Sequence, residues 1–209
     1  MGINTDSVNK QVYNLIKKDI LERKIKPGER IDTKSIAEEN DISVMPVRNA
    51  LQKLTTNGLV INRERVGFFV RSFTEQELCE ILDVRRMFEL YCVQNYLANI
   101  DKRGIEALLA KIEDTQAGIL LDVLDHEMHA MIINASNNEF LIKEYRKMEA
   151  LFSLGLYGGS LENVNIAKGE HIAILRAILD NDVEQTTTYL RKHLERAQRE
   201  VVDIYKKHP

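Results

Sequence analysis

The sequence predicts a mainly α-helical protein, with an N-terminal winged helix-turn-helix (residues 1–72) followed by an all-α antiparallel helical bundle (residues 73–209). Strand-like segments occur only late in the first part, as "LVINRE" and "FFVRS". Every segment of the second part has the three- and four-residue apolar spacing of helices. Residues 1–72 hold 13 Lys and Arg against 9 Asp and Glu, whereas residues 73–209 hold 16 against 23. Residues 1–72, which we call the head, therefore carry a surplus of positive charge, and this surplus suggests contact with a polyanion. The alternative is an ordinary, uneven distribution of surface charges.

Two helices open the head. An apolar stripe predicts the first over "DSVNKQVYNLIKKDILERKI". The stripe comprises Val8, Val12, Leu15, Ile16 and Ile20. The turn at Pro27-Gly28 ends this part of the chain. Asp32 then caps a short helix, "TKSIAEEN", that buries Ile36 and Ala37.

The third helix of the head begins after Ser43, a good N-cap residue. Pro46 is tolerated because the N–H groups of the first helical turn have no partner within the helix. The buried stripe of this helix comprises Val47, Ala50, Leu51 and Leu54. Asn57-Gly58 predicts a left-handed C-cap, and the two strands that follow form a hairpin around "RERVG". Three helices and a hairpin in this order predict a winged helix-turn-helix.

In such a domain the N-terminal turns of the third helix enter the major groove and the wing lies along the phosphates. Arginine can read guanine edges and asparagine can read adenine edges. The outward candidates are Ser43, Val44, Met45, Arg48, Asn49 and Lys53 on the helix, and Arg63, Arg65 and the backbone of Gly67 in the wing. A winged domain that binds protein instead of DNA is the alternative. The basic wing and the surplus of positive charge favour DNA.

Residues 73–209, which we call the body, contain four residues that could hold a metal ion. Asp125 and His129 are four residues apart and therefore share one helix face, while His171 and His193 lie on the last two predicted helices. Three imidazoles and one carboxylate suit Zn²⁺, Ni²⁺, Co²⁺ or Mn²⁺ and leave coordination positions open. The alternative is half-buried histidines that bond to polar neighbours, and spacing alone favours that alternative.

The head resembles the N-terminal domain of GntR-type bacterial transcription regulators. The resemblance is nearly continuous from Val12 to Val70 and includes the Pro-Gly-Glu-Arg turn, Pro46-Val47-Arg48 and the wing glycine. Two positions depart from the family: Val44-Met45 replace the usual Arg-Thr, and Asn49 replaces the usual Glu. The missing arginine is a DNA contact in the family. The resemblance therefore implies the fold and DNA binding but leaves the operator sequence open.

The body resembles the FCD-type ligand-binding domain of the FadR-like branch of that family. The resemblance is carried by "ILDVRRMFE", by "LDHEMHAMIINASNN" and by the last two helices. It implies a divalent transition metal, with Zn or Ni favoured, and a small carboxylate effector that binds at the metal site. The implied metal ligands are Asp125, His129, His171 and His193, with His126 outside the site. Arg85 is the candidate for the effector's carboxylate, or else it pairs with Glu89, and Asn134 is a candidate polar contact.

These observations predict a homodimeric transcription regulator, a repressor rather than an activator and not an enzyme. It would bind a pseudo-palindromic, double-stranded DNA operator with an affinity set by a small organic acid. A sensor of the metal itself, a metallohydrolase and a protein-binding adaptor are the alternatives. Apolar runs shorter than the roughly 20 residues of a membrane span predict no membrane segment. Cys79 and Cys92, about 20 Å apart on one predicted helix, predict a reduced, cytoplasmic chain.

Overall fold

The structure, a computed structural model, describes residues 5–114, 119–156 and 161–207. It divides into two compact units, Met1–Thr74 and Glu75–Pro209. The division falls where the first long helix of the body begins. None of the helices within the described ranges combines the length and the apolar character that a membrane span needs.

The first unit contains three helices and a three-stranded sheet. Its elements in chain order are α1 (Thr5–Leu21), β1 (Arg30–Ile31), α2 (Thr33–Glu39), α3 (Val44–Thr56), β2 (Val60–Arg63) and β3 (Gly67–Val70). The strands are antiparallel in the order β1-β3-β2. The sequence prediction of two strands missed β1, because a two-residue strand has no periodicity. Backbone pairing with β3 extends it: Gly28 N donates to Val70 O at 2.9 Å, and Val70 N donates to Glu29 O at 2.9 Å.

Helix α3 is anchored as predicted. Its buried side chains are Val47, Ala50, Leu51 and Leu54, and they pack against α1. Gly58 ends the helix with a φ of 79°, and Leu59 N donates to Leu54 O at 3.0 Å, which confirms the left-handed cap. On α1, Leu15 of the predicted apolar stripe is 37% exposed. Leu15 lies a rotation of about 100° from Ile16 and so falls at the edge of the α1 stripe.

The second unit is an all-helical bundle throughout its described residues. Its helices are α4 (Glu75–Tyr96), α5 (Lys102–Asp114), α6 (Ile119–Asn134), α7 (Glu139–Leu156), α8 (Leu161–Leu179) and α9 (Val183–Lys207), with a short 3-10 turn at Leu97–Asn99. Helix α9 packs against α4 and α8, while α6 contacts α4, α5 and α8. The packing brings α4, α6, α8 and α9 together around one buried polar cluster. The glycine pair Gly158-Gly159 predicts a short break between two helices of the body, and it lies outside the described residues.

Candidate metal centre and nucleic-acid interface

The four predicted metal ligands meet in the core of the bundle. Helix α6 supplies Asp125 and His129, α8 supplies His171 and α9 supplies His193, and one ligand atom from each lies within 4.8 Å of all the others. The Nε2 atoms of the three histidines lie 3.2, 2.9 and 3.6 Å from Oδ1 of Asp125, in chain order. Three imidazole nitrogens around one carboxylate oxygen form a donor set that suits a divalent transition metal.

Two carboxylates form hydrogen bonds with the Nδ1 atoms of two of these histidines, on the side of the ring opposite Asp125. Glu89 Oε2 lies 2.5 Å from His129 Nδ1, and Glu170 Oε2 lies 2.8 Å from His193 Nδ1. Burial by itself raises the pKa of both carboxyls, but the neighbouring histidines and arginines outweigh it and lower both values, that of Glu89 to about 2. An ionised carboxylate can only accept, so each Nδ1 carries the hydrogen. Each Nε2 therefore faces the cluster in the orientation that metal-binding histidines adopt.

Glu89 is the centre of a buried polar network. Besides His129, it accepts hydrogen bonds from Arg85 Nε and from the hydroxyl of Tyr145, each at 2.7 Å. Glu89 is 0% exposed and Arg85 is 4% exposed. Burial lowers the pKa of the Arg85 guanidinium, but the facing carboxylate of Glu89 reverses this and leaves the pKa raised. The pair therefore stays ionised inside the bundle.

Of the four ligand candidates, His171 makes the fewest hydrogen bonds through its side chain to the described residues. It is 1% exposed, and neither ring nitrogen makes a hydrogen bond to any residue that the structure describes. Its Nε2 is close to Asp125 Oδ1, but the contact lacks the alignment of a hydrogen bond. Burial lowers the pKa of His171, so the ring is neutral. A neutral, buried nitrogen that faces an acidic cluster is suited to a metal ion, and the four side chains together fit one.

Asp125 supplies the negative charge of the centre. Its side chain is 19% exposed, in contrast to the three histidines. Burial raises its pKa, but the charge of His129 and the close ring nitrogens of all three histidines outweigh burial and hold the pKa well below its usual range. The carboxylate is therefore ionised, and it is the member of the set nearest to solvent.

A cleft opens beside the centre. About 200 Å³ of space between its walls is free of protein atoms, a figure that includes open solvent. Its lining residues are Arg85, Asp125, His126, His129, Tyr145 and Glu149. Of the two predicted effector contacts, Arg85 lines this cleft while also pairing with Glu89. Asn134 is exposed near the end of α6, where its side-chain oxygen lies 3.5 Å from Arg146 Nη2, and it does not line the cleft. Both roles stay predictions.

The predicted DNA contacts lie on two surfaces of the first unit. On α3 and its N-cap position, the exposed candidates are Ser43, Met45, Arg48, Asn49 and Lys53, while Val44 is half-buried. Met45 is 65% exposed, a large value for an apolar side chain. In the wing, Arg63 and Arg65 are exposed, and Arg65 and Gly67 have positive φ values of 61° and 131°. These roles also stay predictions.

Sequence reasoning missed three polar residues around the centre. Tyr145 on α7 reaches Glu89 across 56 residues of chain. Arg196 on α9 donates to both oxygens of Glu170 at 2.8 and 2.9 Å, and Glu149 lines the cleft. Arg196 lies three residues after His193, which places it on the same side of α9 and was the available signal. No comparable spacing marks Tyr145.

Two protein families match the two units. Residues 8–70 match bacterial regulatory proteins of the gntR family, and residues 80–196 match the FCD domain. The chain is 30% identical over 138 residues to the HTH-type transcriptional regulator YdhC of Bacillus subtilis (strain 168), a match that spans 63% of this chain and 62% of YdhC. It is 25% identical over 201 residues to the HTH-type transcriptional repressor GlaR of Escherichia coli (strain K12), spanning 87% of this chain and 90% of GlaR.

Solved structures share the fold. A GntR transcriptional regulator from Rhodococcus sp. RHA1 has a TM-score of 0.80 at 20% identity, covering 94% of this chain and 98% of that one. The Zn²⁺-bound FCD domain of TM0439 has a TM-score of 0.61 at 23% identity, covering 66% of this chain and 99% of that one. Members of the GntR family bind DNA operators, and these relatives are regulators rather than enzymes, which confirms the expectation of a non-enzyme. With a winged helix-turn-helix of the GntR type followed by an FCD domain, the chain belongs to the GntR family of bacterial regulatory proteins and is one of its FCD-containing transcriptional regulators.

Proposed function

We propose that this regulator is a homodimeric repressor whose operator affinity is controlled by a small carboxylate effector, bound beside a divalent metal ion in the FCD domain. One observation carries the proposal: three buried histidine Nε2 atoms converge on a single carboxylate oxygen of Asp125. The Zn²⁺-bound state of the FCD domain of TM0439 supports zinc as the first metal to try, and nickel is the second.

Each ligand candidate has a distinct role in this proposal. The histidines on α6, α8 and α9 would hold the ion through Nε2, and Asp125 would add an anionic oxygen. Glu89 and Glu170 orient His129 and His193 by accepting from their Nδ1 atoms. When bound, the ion would supply a Lewis-acidic position that a carboxylate oxygen can occupy.

The charges that line the cleft explain why an anionic effector would depend on the metal. Among the lining residues, Arg85 is the one permanent cation, and Asp125 and Glu149 contribute two carboxylates. Arg85 is also paired with Glu89. The carboxylates around the cleft therefore outnumber its permanent cation, and a bound divalent cation would offset their charge. Arg85 would then orient the carboxylate.

The dimer and the sign of regulation complete the proposal. Two winged heads related by two-fold symmetry would match a pseudo-palindromic operator, with half-sites one helical turn or a multiple of it apart. The repressor activity in the name of GlaR supports repression here. Effector binding would change the populations of two arrangements of the dimer, and operator affinity would change with them.

We expect the metal-stripped full-length chain to bind one Zn²⁺ or Ni²⁺ per chain. Metal alone should leave the operator affinity within about twofold of the metal-free value. The reason is that the metal by itself occupies a site that the histidines already form. Metal plus the correct small organic acid should change operator affinity by roughly 5- to 150-fold, the usual range of coupling between two sites. The measurement is fluorescence anisotropy with a selected operator at fixed salt, preceded by native mass spectrometry to identify co-purified metal and acid.

Two results would replace this proposal. If removal and resupply of the metal switch DNA binding without any acid, the chain is a metal sensor. If no acid binds to the metal-loaded chain and metal has no effect on the operator, the centre has a structural role. A monomer at the concentrations that saturate the operator would contradict the dimeric part.

We expect Arg48→Ala to alter which operator sequences are bound. Arg48 is exposed on the second turn of α3 and a guanidinium reads guanine edges bidentately, so its loss should cost about 1–3 kcal/mol at the guanine it contacts. Operator selection with the wild type and the variant measures this directly. Thr56→Ala, exposed in the last turn of α3 and away from the N-terminal turns that enter the groove, is the matched control and should keep the wild-type preference. An unchanged preference in the Arg48 variant would show that this residue does not read bases.

A further inference from the structure

Arg30, which was not among the predicted DNA contacts, lies on the outer face of the wing sheet. Residues directly opposite each other in an antiparallel pair point to the same face. Arg30 and Ile61 both pair with Phe69, and Arg63 pairs with Gly67. The five residues therefore form one surface, which we call the wing face. The opposite face of the sheet carries Ile31, Val60 and Val70, which are at most 3% exposed.

The two arginines of the wing face converge over the central strand β3 from its two neighbours. The Cζ of Arg63 lies 4.4 Å from the centre of the Phe69 ring. The guanidinium of Arg30 lies over Gly67, with Nε and Nη2 at 3.4 and 3.7 Å from the place where a Cβ would be. These are ordinary contact distances, so the guanidinium of Arg30 lies against β3 at Gly67, where the φ of 131° favours glycine.

The wing face has two positive charges and little to neutralise them. Among the residues that the structure describes, no carboxylate oxygen lies within salt-bridge distance of either guanidinium. Two acidic residues flank β1, and one of them, Asp32, has its pKa lowered first by hydrogen bonds from the backbone of Lys34 and Ser35 and then by the charge of Arg30. Glu29 accepts from Lys26 N at 2.9 Å, and Asp32 accepts from Lys34 N at 2.9 Å in the α2 cap. Like charges that share a surface without an internal counter-ion are suited to an external anion.

We propose that Arg30 and Arg63 together bind the phosphate backbone of the operator, with the Arg30 guanidinium lying across β3 at Gly67. Guanidinium N–H groups form bidentate, charge-assisted hydrogen bonds to phosphate oxygens, and their flat faces pack on the sheet. This contact positions the wing on the duplex and reads no base. The proposal rests on operator binding alone and is independent of the metal and the effector.

The test is Arg30→Gln in the full-length chain, measured by fluorescence anisotropy over a series of salt concentrations. The probes are a duplex recovered by selection with the wild type and a second duplex of unrelated sequence. Loss of one phosphate contact should reduce the slope of log K against log salt by about one for each bound head. Affinity should fall roughly tenfold for both duplexes at low salt, because a backbone contact is independent of sequence.

Two further variants separate this role from general charge and from folding. Lys18→Gln removes the same charge from an exposed position on α1 and should leave both affinity and slope near the wild-type values. Arg30→Lys keeps the positive charge but loses the paired N–H donors of the guanidinium. This variant should therefore retain the wild-type salt slope and part of the wild-type affinity for both duplexes. A wild-type slope in Arg30→Gln, or a loss confined to the selected duplex, would overturn the proposal. A wild-type chain that binds neither duplex would overturn operator binding itself.

Discussion

Replacing His171 by alanine is expected to reduce the Zn²⁺ affinity of the full-length chain by roughly a hundredfold or more. The ring is buried, its pKa is lowered by burial, and neither nitrogen has a hydrogen-bond partner among the described residues, so a metal ion is the interaction that it lacks. Calorimetric titration of the metal-stripped chain measures the affinity. In thermal unfolding, zinc should raise the Tm of the wild type by mass action and should have little effect on the variant. The variant should also lose the response of operator binding to the organic acid.

His126→Ala is the matched control for this prediction. His126 adjoins Asp125 in sequence and lines the same cleft, but it does not belong to the group of four converging ligands. Its loss should leave zinc affinity within a few-fold of the wild type. If His126→Ala abolished zinc binding while His171→Ala kept it, the assigned ligand set would be wrong. If the wild type bound neither zinc nor nickel, the centre would be a network of buried histidines and carboxylates.

Much of this architecture could be predicted from local spacing. The i, i+4 positions of Asp125 and His129 place both on one face of α6, and the apolar stripe of α3 predicts its four buried residues. Asn57-Gly58 predicted the left-handed cap because few other residues accept a positive φ. In each case the information lies within one helix or turn, where the chain geometry alone determines which side chains share a face.

The remainder depends on contacts between distant segments. β1 exists because β3 returns beside it, some 40 residues later in the chain. Glu89 meets His129 and Tyr145 only because α4 packs against both α6 and α7. Spacing rules do not specify which of several carboxylates on a helix turns toward a histidine. The sequence therefore predicted the four converging residues through family resemblance, whereas the groups that orient them required the packed bundle.

Replacing Glu89 by glutamine is expected to destabilise the metal-free chain by about 3–5 kcal/mol, the usual effect of leaving a buried charge without its partner. Glu89 is 0% exposed and faces Arg85, which is also buried. Glutamine keeps the shape but removes the charge that holds the guanidinium inside the bundle. Unfolding by denaturant, followed through the transition of the FCD domain, gives the free energy of unfolding. Zinc affinity should fall by about 10- to 100-fold as well, because the Nδ1 of His129 loses its anionic acceptor.

Two comparisons identify the cause of that loss. Glu144→Gln neutralises a carboxylate on the exposed side of α7, where it pairs with Lys147, and should change stability by no more than about 0.5 kcal/mol. Combining Glu89→Gln with Arg85→Met removes the unpaired cation as well. If the uncompensated charge of Arg85 is the cause, the double variant should be more stable than the Glu89→Gln single variant, although its zinc affinity stays low. If the losses of unfolding free energy in the two single variants simply add in the double variant, the effect comes from packing around His129 and Tyr145. The role of Glu89 would then be to fill volume in the core rather than to act as the counter-ion that keeps Arg85 buried beside the cleft.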